Sequence, residues 1–291
     1  MDELELAKRF DRQRPQLRAV AYRILGSLTE ADDAVQESWL RLWRTDAEQI
    51  DTLAPWLTTV VARICLNMLR SRRTRSEQPL DNFLPEPIID NPATGTDPEH
   101  EALLADSVGI ALQVVLDTLS PAERLAFVLH DMFAVSFEEI AAMVDRSPQA
   151  TRQLASRARR RVRESAPPPD PDLTRQRAVV DAYFKAAREG DLEALVAVLD
   201  PDVVLRAHRR DGDPLELHGA ARVAQGAMTA RRFAPYVRPA LVNGAAGGVA
   251  FDGERPFAVL AFTVIGDRAV TIDVFNDPEL VGKLDIRGIT A

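Results

Sequence analysis

Prolines cut this chain into three stretches, and no regular element can run through the cuts. Five of them, Pro79, Pro85, Pro87, Pro92 and Pro98, fall within residues 76–100. A second group, Pro167, Pro168, Pro169 and Pro171, follows seventy residues later. Each removes a backbone donor and fixes φ, so helices and central strands must end there. The expected organisation is therefore residues 1–75, a proline-rich acidic linker at 76–105, residues 106–165, and residues 172–291. The 291 residues suit two or three domains of about 100–150 residues each.

Residues 1–75 and 106–165 show helical periodicity, and 172–291 change character, from helices to strand-like runs. Leu6, Phe10, Leu17, Val20, Ala21 and Ile24 recur at helical spacing up to Gly26. Thr29-Glu30-Ala31-Asp32 looks like a capping box with Asp in place of Glu. Val35, Trp39 and Leu42 then share an apolar face, which leaves Asp33, Gln36 and Glu37 off it. A third helix is predicted from Pro55 through Trp56, Val60 and Ile64 to the basic end at Arg70, Arg72, Arg73 and Arg75. Trp56 is read as core, with stacking on an unpaired base as the alternative.

Beyond residue 172, helices are predicted at Leu173–Arg188 and Leu192–Leu199. Strands are predicted at Val203–Arg206, Val237–Val242, Phe257–Ile265 and Ala269–Phe275, the last with clear alternation. Gly244-Ala245-Ala246-Gly247-Gly248 is read as a hairpin turn. The fold class is multidomain: two all-α domains followed by an α+β domain.

Net charge of −8 argues against nucleic-acid binding only if the charge is spread evenly. It is not. Residues 146–163 hold seven arginines and no acid, whereas residues 77–106 hold eight acids and no Lys or Arg. The arginines lie on a predicted helix opened by Ser147 as N-cap and Pro148 at the first position. A short helix precedes it, with Phe137, Ile140, Ala141 and Val144 facing inward and Asp145-Arg146 at the turn. Ala150, Leu154, Ala158 and Val162 should face the core. The other side presents Arg146, Ser147, Gln149, Arg152, Gln153, Ser156, Arg157, Arg160 and Arg163. Arg and Gln pair with base edges and further arginines neutralise phosphates, so this is a helix-turn-helix suited to DNA. The bland alternative is a solvated basic face.

Leu119–Asp131 with Phe137-Glu138-Glu139-Ile140-Ala141 and Arg146-Ser147-Pro148 resembles region 4 of the extracytoplasmic-function sigma factors. The resemblance implies that this segment reads a −35 promoter element. Asp33-Ala34-Val35-Gln36-Glu37 is similar to the family's region 2 signature, which implies docking of Asp33, Gln36 and Glu37 on the β′ clamp helices of RNA polymerase core. Residues 63–73 resemble the part of region 2 that melts and reads the −10 element, which implies that role for Asn67, Arg70, Arg72 and Arg73. The family often has an acid where Asn67 stands.

Leu84-Pro85-Glu86-Pro87 resembles the linker element of the SigJ-type subgroup, whose members carry a cone-shaped SnoaL-like C-terminal domain. Asp211-Gly212 and Asn276-Asp277-Pro278 are similar to that domain's short motifs, though the first lacks the usual glycine run and lysine. The resemblance implies regulation in cis by the C-terminal domain. The element Leu84, Pro85, Glu86 and Pro87 is apolar and proline-stiffened in an otherwise acidic linker, so it is where that domain is expected to make contact.

Three readings of the C-terminal domain compete: intramolecular regulation, small-molecule sensing, and catalysis in a pocket. Candidate acid–base residues are His208, Asp211, His218, Asp252 and Asp273, but no nucleophile stands at a recognisable spacing from a base. The four histidines, His100, His130, His208 and His218, show no metal-ligand spacing, and the lone Cys65 permits no disulfide. Expected, then, is a non-enzymatic cytoplasmic sigma factor with promoter DNA and polymerase core as partners. It needs no cofactor or metal, lacks a membrane span, and leaves a small ligand of the C-terminal domain open. The alternative is a helix-turn-helix regulator independent of polymerase, with a sensing or catalytic SnoaL-like domain.

Overall fold

The structure, a computed structural model, describes residues 3–45, 50–75, 85–93, 109–165, 169–208, 215–286 and 289. These residues divide into two compact units. The first contains 3–45, 50–75 and 113–165; the second contains 85–93, 109–112 and everything from 169 onward.

The first unit opens with α1 (Glu3–Leu25), α2 (Leu28–Arg44) and α3 (Leu53–Arg75). Gly26, at φ +73°, ends α1 in the left-handed region that favours glycine. Ser27 then caps α2, its Oγ accepting from the Glu30 N–H at 3.2 Å. This corrects the expectation that the cap lies at Thr29: the chain turns at Gly26, and Ser27 is the first residue with the extended backbone a cap requires. Phe10, Leu17, Val20 and Ile24 of α1, Leu42 of α2, and Leu57, Val61 and Leu66 of α3 are buried in the core. Arg18 pairs with Asp32 at 2.6 Å, tying α1 to α2.

A helix α4 (Gly109–Asp117) precedes α5 (Pro121–Phe127), a π-helical turn (Val128–Met132), α6 (Phe137–Val144) and α7 (Pro148–Ser165). Ser120 and Ser136 each open their helix with a reciprocal capping box, using Glu123 and Glu139. Arg124 is buried and ion-paired with Asp117. Hydrogen bonds are among the contacts that join these helices to the preceding three within the unit. Arg63 on α3 donates to the Ala142 carbonyl at 3.2 Å, and Gln113 donates to the Tyr22 carbonyl at 3.4 Å.

The second unit is a seven-stranded sheet with helices α8 (Leu173–Glu189), α9 (Leu192–Ala197), α10 (Ala220–Ala230) and α11 (Pro278–Val281). Its strands are β1 (Ile89–Asp90), β2 (Leu199–His208), β3 (Leu215–His218), β4 (Val237–Val242), β5 (Ala245–Asp252), β6 (Arg255–Ile265) and β7 (Arg268–Phe275). They lie in the order β1-β4-β5-β6-β7-β2-β3, antiparallel except for the β2–β7 pair. Phe262 and Ile272 belong to the hydrophobic core formed with α8 and α10, and half-buried Leu205, Leu217, Leu260 and Val274 pack against it. Tyr183, Phe184 and Phe262 fill the middle of that core as an edge-to-face cluster, with ring centroids 5.2 to 5.6 Å apart.

The expected hairpin turn at residues 244–248 is corrected. The turn is Asn243-Gly244, both at positive φ, and Ala245 already begins β5. Gly247 and Gly248 are strand residues because nothing larger fits. A Cβ on Gly247 would lie 2.5 Å from the Leu260 carbonyl, and one on Gly248 would lie 2.6 Å from Val237 Cγ1.

The other edge feature is β1, which comes from the linker. Ile89 and Asp90 pair with Val242 and Leu241. Around them, the Ile88 N–H donates to Asn243 Oδ1 at 2.9 Å, the Asn243 N–H donates to the Ile88 carbonyl at 2.8 Å, and Arg177 donates to the Pro92 carbonyl at 2.9 Å. Pro85 and Pro87 through Asp90 are buried and Glu86 is half-buried.

Candidate nucleic-acid interface

The helix-turn-helix is built by α6 and α7. Asp145 takes the left-handed conformation at φ +54° and turns the chain, and Ser147 Oγ accepts from the Ala150 N–H at 3.2 Å to start α7. The buried stripe on α7 is Thr151, Ala155 and Ala158, with Leu154 and Val162 half-buried beside it. The expected stripe of Ala150, Leu154, Ala158 and Val162 is therefore rotated by about one residue. A strict four-residue step drifts off a helix of 3.6 residues per turn, and the i, i+4, i+7 positions stay in register.

The outer side of α7 comes out as expected. Arg146, Ser147, Gln149, Arg152, Gln153, Ser156, Arg157 and Arg160 are all exposed. The reading that no acid compensates these arginines is corrected, because the fold supplies acids from other helices. Glu138 meets Arg152 at 2.9 Å, Glu123 meets Arg157 at 3.4 Å, and Asp131 meets Arg159 at 2.5 Å. Arg161 donates to the Thr118 carbonyl at 3.3 Å. Arg160 and Arg163 have no such partner among the described residues, and with Ser156, Arg157 and Glu164 they line an open concavity of about 450 Å³. Burial alone would raise the Glu123 carboxyl. Hydrogen bonds from the Ser120 hydroxyl and N–H, with Arg157 and Arg161 nearby, outweigh it and hold the group below the usual glutamate range.

Phe137 is half-buried rather than core. Its ring stacks on His130 with centroids 3.8 Å apart, and the Arg152 guanidinium lies 5.4 Å from its centroid. His130 comes from the π-turn, and its Nδ1 lies 3.0 Å from the Val135 carbonyl.

On α3, Asn67, Arg70 and Arg73 are exposed and fall along one face with Arg63. Arg72 points elsewhere. It donates to Glu30 Oε1 at 3.1 Å and to the Leu25 carbonyl at 3.0 Å, so it closes the α1–α2 corner. These donors satisfy the carbonyl end of α1. On α2, Asp33 and Gln36 are exposed and Glu37 is half-buried in an ion pair with Arg41 at 3.0 Å. Trp39 sits between Phe10 and Trp43, with centroids at 5.0 and 5.8 Å. Trp56 is half-buried.

In the second unit, Leu84, Asp211 and Gly212 lie outside the described residues. Asn276 is half-buried. Asp277 and Pro278 form a helix start, Asp277 Oδ1 accepting from the Leu280 N–H at 2.8 Å with Pro278 at the first turn of α11. Of the acid–base candidates among the described residues, the sheet brings together His208 and Asp273, at 2.9 Å. Arg206 Nε lies 3.0 Å from the same carboxylate; His208 and Asp273 are buried and Arg206 is half-buried. Asp252 is exposed, and His218 is exposed beside Glu216. Among the described residues no group of His, Cys, Asp or Glu could hold a metal, and no helix is long and apolar enough to cross a membrane.

A trihelical domain with an acidic outer helix, joined to a capped helix-turn-helix whose second helix is basic, defines a sigma-70-type transcription factor. The Sigma-70 region 2 and Sigma-70 region 4 family models match residues 9–75 and 110–162. The chain is 36% identical to the ECF RNA polymerase sigma factor SigJ of Mycobacterium tuberculosis, over 94% of this chain and 93% of that one. The crystal structure of that SigJ superposes with a TM-score of 0.77 at 32% identity, covering 96% of this chain and 99% of the other. The ECF sigma factor SigE of Mycolicibacterium smegmatis is 35% identical over 50% of this chain and 55% of its own length. This chain belongs to the extracytoplasmic-function sigma factors, and its C-terminal domain has an α+β fold. It directs RNA polymerase core to promoters and initiates transcription there.

Proposed function

We propose that promoter choice by this sigma factor is set by three surfaces and regulated by a fourth. Arg146, Ser147, Gln149, Arg152, Gln153, Ser156, Arg157 and Arg160 read the −35 element. Asn67, Arg70 and Arg73 serve the −10 element. Asp33, Gln36 and Glu37 on α2 dock on the basic β′ clamp helices of the polymerase, where complementary charge steers association. The protein acts in the cytoplasm and is not an enzyme.

The C-terminal domain regulates in cis by holding the linker. The observation that carries this reading is the pairing of Ile89-Asp90 with β4, flanked by the two Ile88–Asn243 hydrogen bonds. A linker held as a sheet strand has a fixed length available to the DNA-reading domains, and promoter recognition needs both at a set spacing. Pro278 and Asn276 support this domain by starting and preceding α11.

The test is run-off transcription with purified core polymerase, comparing the full chain with one truncated after Ala166. The template is a promoter selected by the full chain. Initiation with the full chain and altered yield with the truncated one are expected. The Pro85→Ala/Pro87→Ala double variant should shift yield in the same direction as the truncation. Equal yields from all three would remove the linker mechanism.

A further inference from the structure

The structure assigns a positioning role in −35 recognition to Phe137, a residue that does not itself lie on the recognition helix. The inference rests on the reading of Arg152 as a base-reading residue.

An arginine on a solvated helix face has several rotamers, and base readout must select one of them at an entropic cost. Arg152 is held in advance by two groups of α6. Its guanidinium lies over the Phe137 ring, 5.4 Å from the centroid, and its Nη2 donates to Glu138 Oε1 at 2.9 Å. A guanidinium has five N–H donors in a planar fork, so one bond to Glu138 leaves a pair for a base edge. The ring is the part of this mount that DNA cannot displace by charge. Glu138 is repelled by approaching phosphates, whereas an aromatic face still attracts the cation.

Phe137 is itself fixed. His130 stacks on its ring at 3.8 Å and 28°. The His130 Nδ1 faces the Val135 carbonyl at 3.0 Å, and a carbonyl only accepts, so Nδ1 carries the proton and the imidazole plane is set. The histidine reaches this place because Val128–Met132 is a π-turn, whose extra residue rotates the side chains that follow, and because Ala134 at φ +54° turns the chain back toward Phe137. The π-turn, His130, Phe137 and Arg152 form one support running from the helix before the motif to its base-reading face.

The experiment uses the full chain with core polymerase and a set of promoters in which each −35 base pair is varied in turn. Arg152→Ala should flatten the preference at one or two base pairs. Phe137→Leu should flatten the preference at the same pairs by several-fold to about tenfold, the scale of one paired base contact. Preference at the other −35 positions and at −10 should hold, and Phe137→Tyr should restore the wild-type profile. His130→Ala, which leaves Phe137 in place, should give the same pattern more weakly and serves if Phe137→Leu does not fold. A Phe137→Leu profile equal to wild type, or a uniform loss at every promoter, overturns the proposal. An Arg152→Ala profile equal to wild type overturns the reading of Arg152 beneath it, and the proposal with it.

Discussion

The buried ionic group on β2 and β7 shows what single side chains do here. The Asp273 carboxylate is sealed from water and faces both Arg206 and His208. Removing one member of such a group leaves a charge without compensation in a medium of low dielectric, which costs about 3–5 kcal/mol. Asp273→Ala should destabilise the C-terminal domain by that amount in a urea titration, and Asp273→Leu combined with Arg206→Met should recover much of it. Glu123 supplies a pH dependence. Its folded-state carboxyl is held below the ordinary value by Ser120 and the arginines, against the opposing effect of burial. Stability from this group is therefore complete above the unfolded glutamate pKa and is lost as pH falls through the lower folded value. Thermal melts from neutral to acid pH should fall more steeply for wild type than for Glu123→Gln. Cys65 makes a contrasting case. Burial pushes its thiol far above the ordinary range, outweighing its backbone hydrogen bond and Arg124, so the reactive thiolate is absent. A thiol reagent should label it only on unfolding, and labelling of the folded chain at the rate of a free thiol would contradict this burial.

At the scale of elements, the linker strand is the feature to probe. Asn243→Ala strips the Ile88 N–H of its acceptor in a buried place, at a cost of about 1–3 kcal/mol. Amide exchange over residues 85–93 should accelerate, with little change in α1 through α3. The helices and long strands were legible in the sequence because each carries a period that one buried face imposes. Val237–Val242 was bounded correctly, and the Ser147-Pro148 start of the recognition helix was read from its capping chemistry alone. Strand β1 was not legible. It spans only Ile89-Asp90 between prolines, so no periodicity can show, and its pairing partners, Val242 and Leu241, lie far along the chain in β4. Gly247-Gly248 misled because glycine marks a turn when φ is positive and a tight packing site when it is not, and local sequence does not distinguish the two. The acids that meet Arg152, Arg157 and Arg159 escaped for the same reason: they come from other helices, and a count along one helix misses them.

For the whole molecule, the linker segment has a second consequence, concerning solubility. Every open sheet has two margins with unpaired backbone groups, and such a margin templates association with any other extended chain. In this sheet one margin is β3, four residues long, and the other would be the six-residue β4 were it not covered by Ile89-Asp90 and the flanking Ile88. The linker thus shields the domain from its own copies. A fragment of residues 172–291 has lost that shield and should self-associate with rising concentration in sedimentation velocity, while the same fragment mixed with a peptide of residues 84–93 should stay monomeric. Any event that draws the linker away in the full chain leaves β4 bare, so the same step would expose a sticky margin.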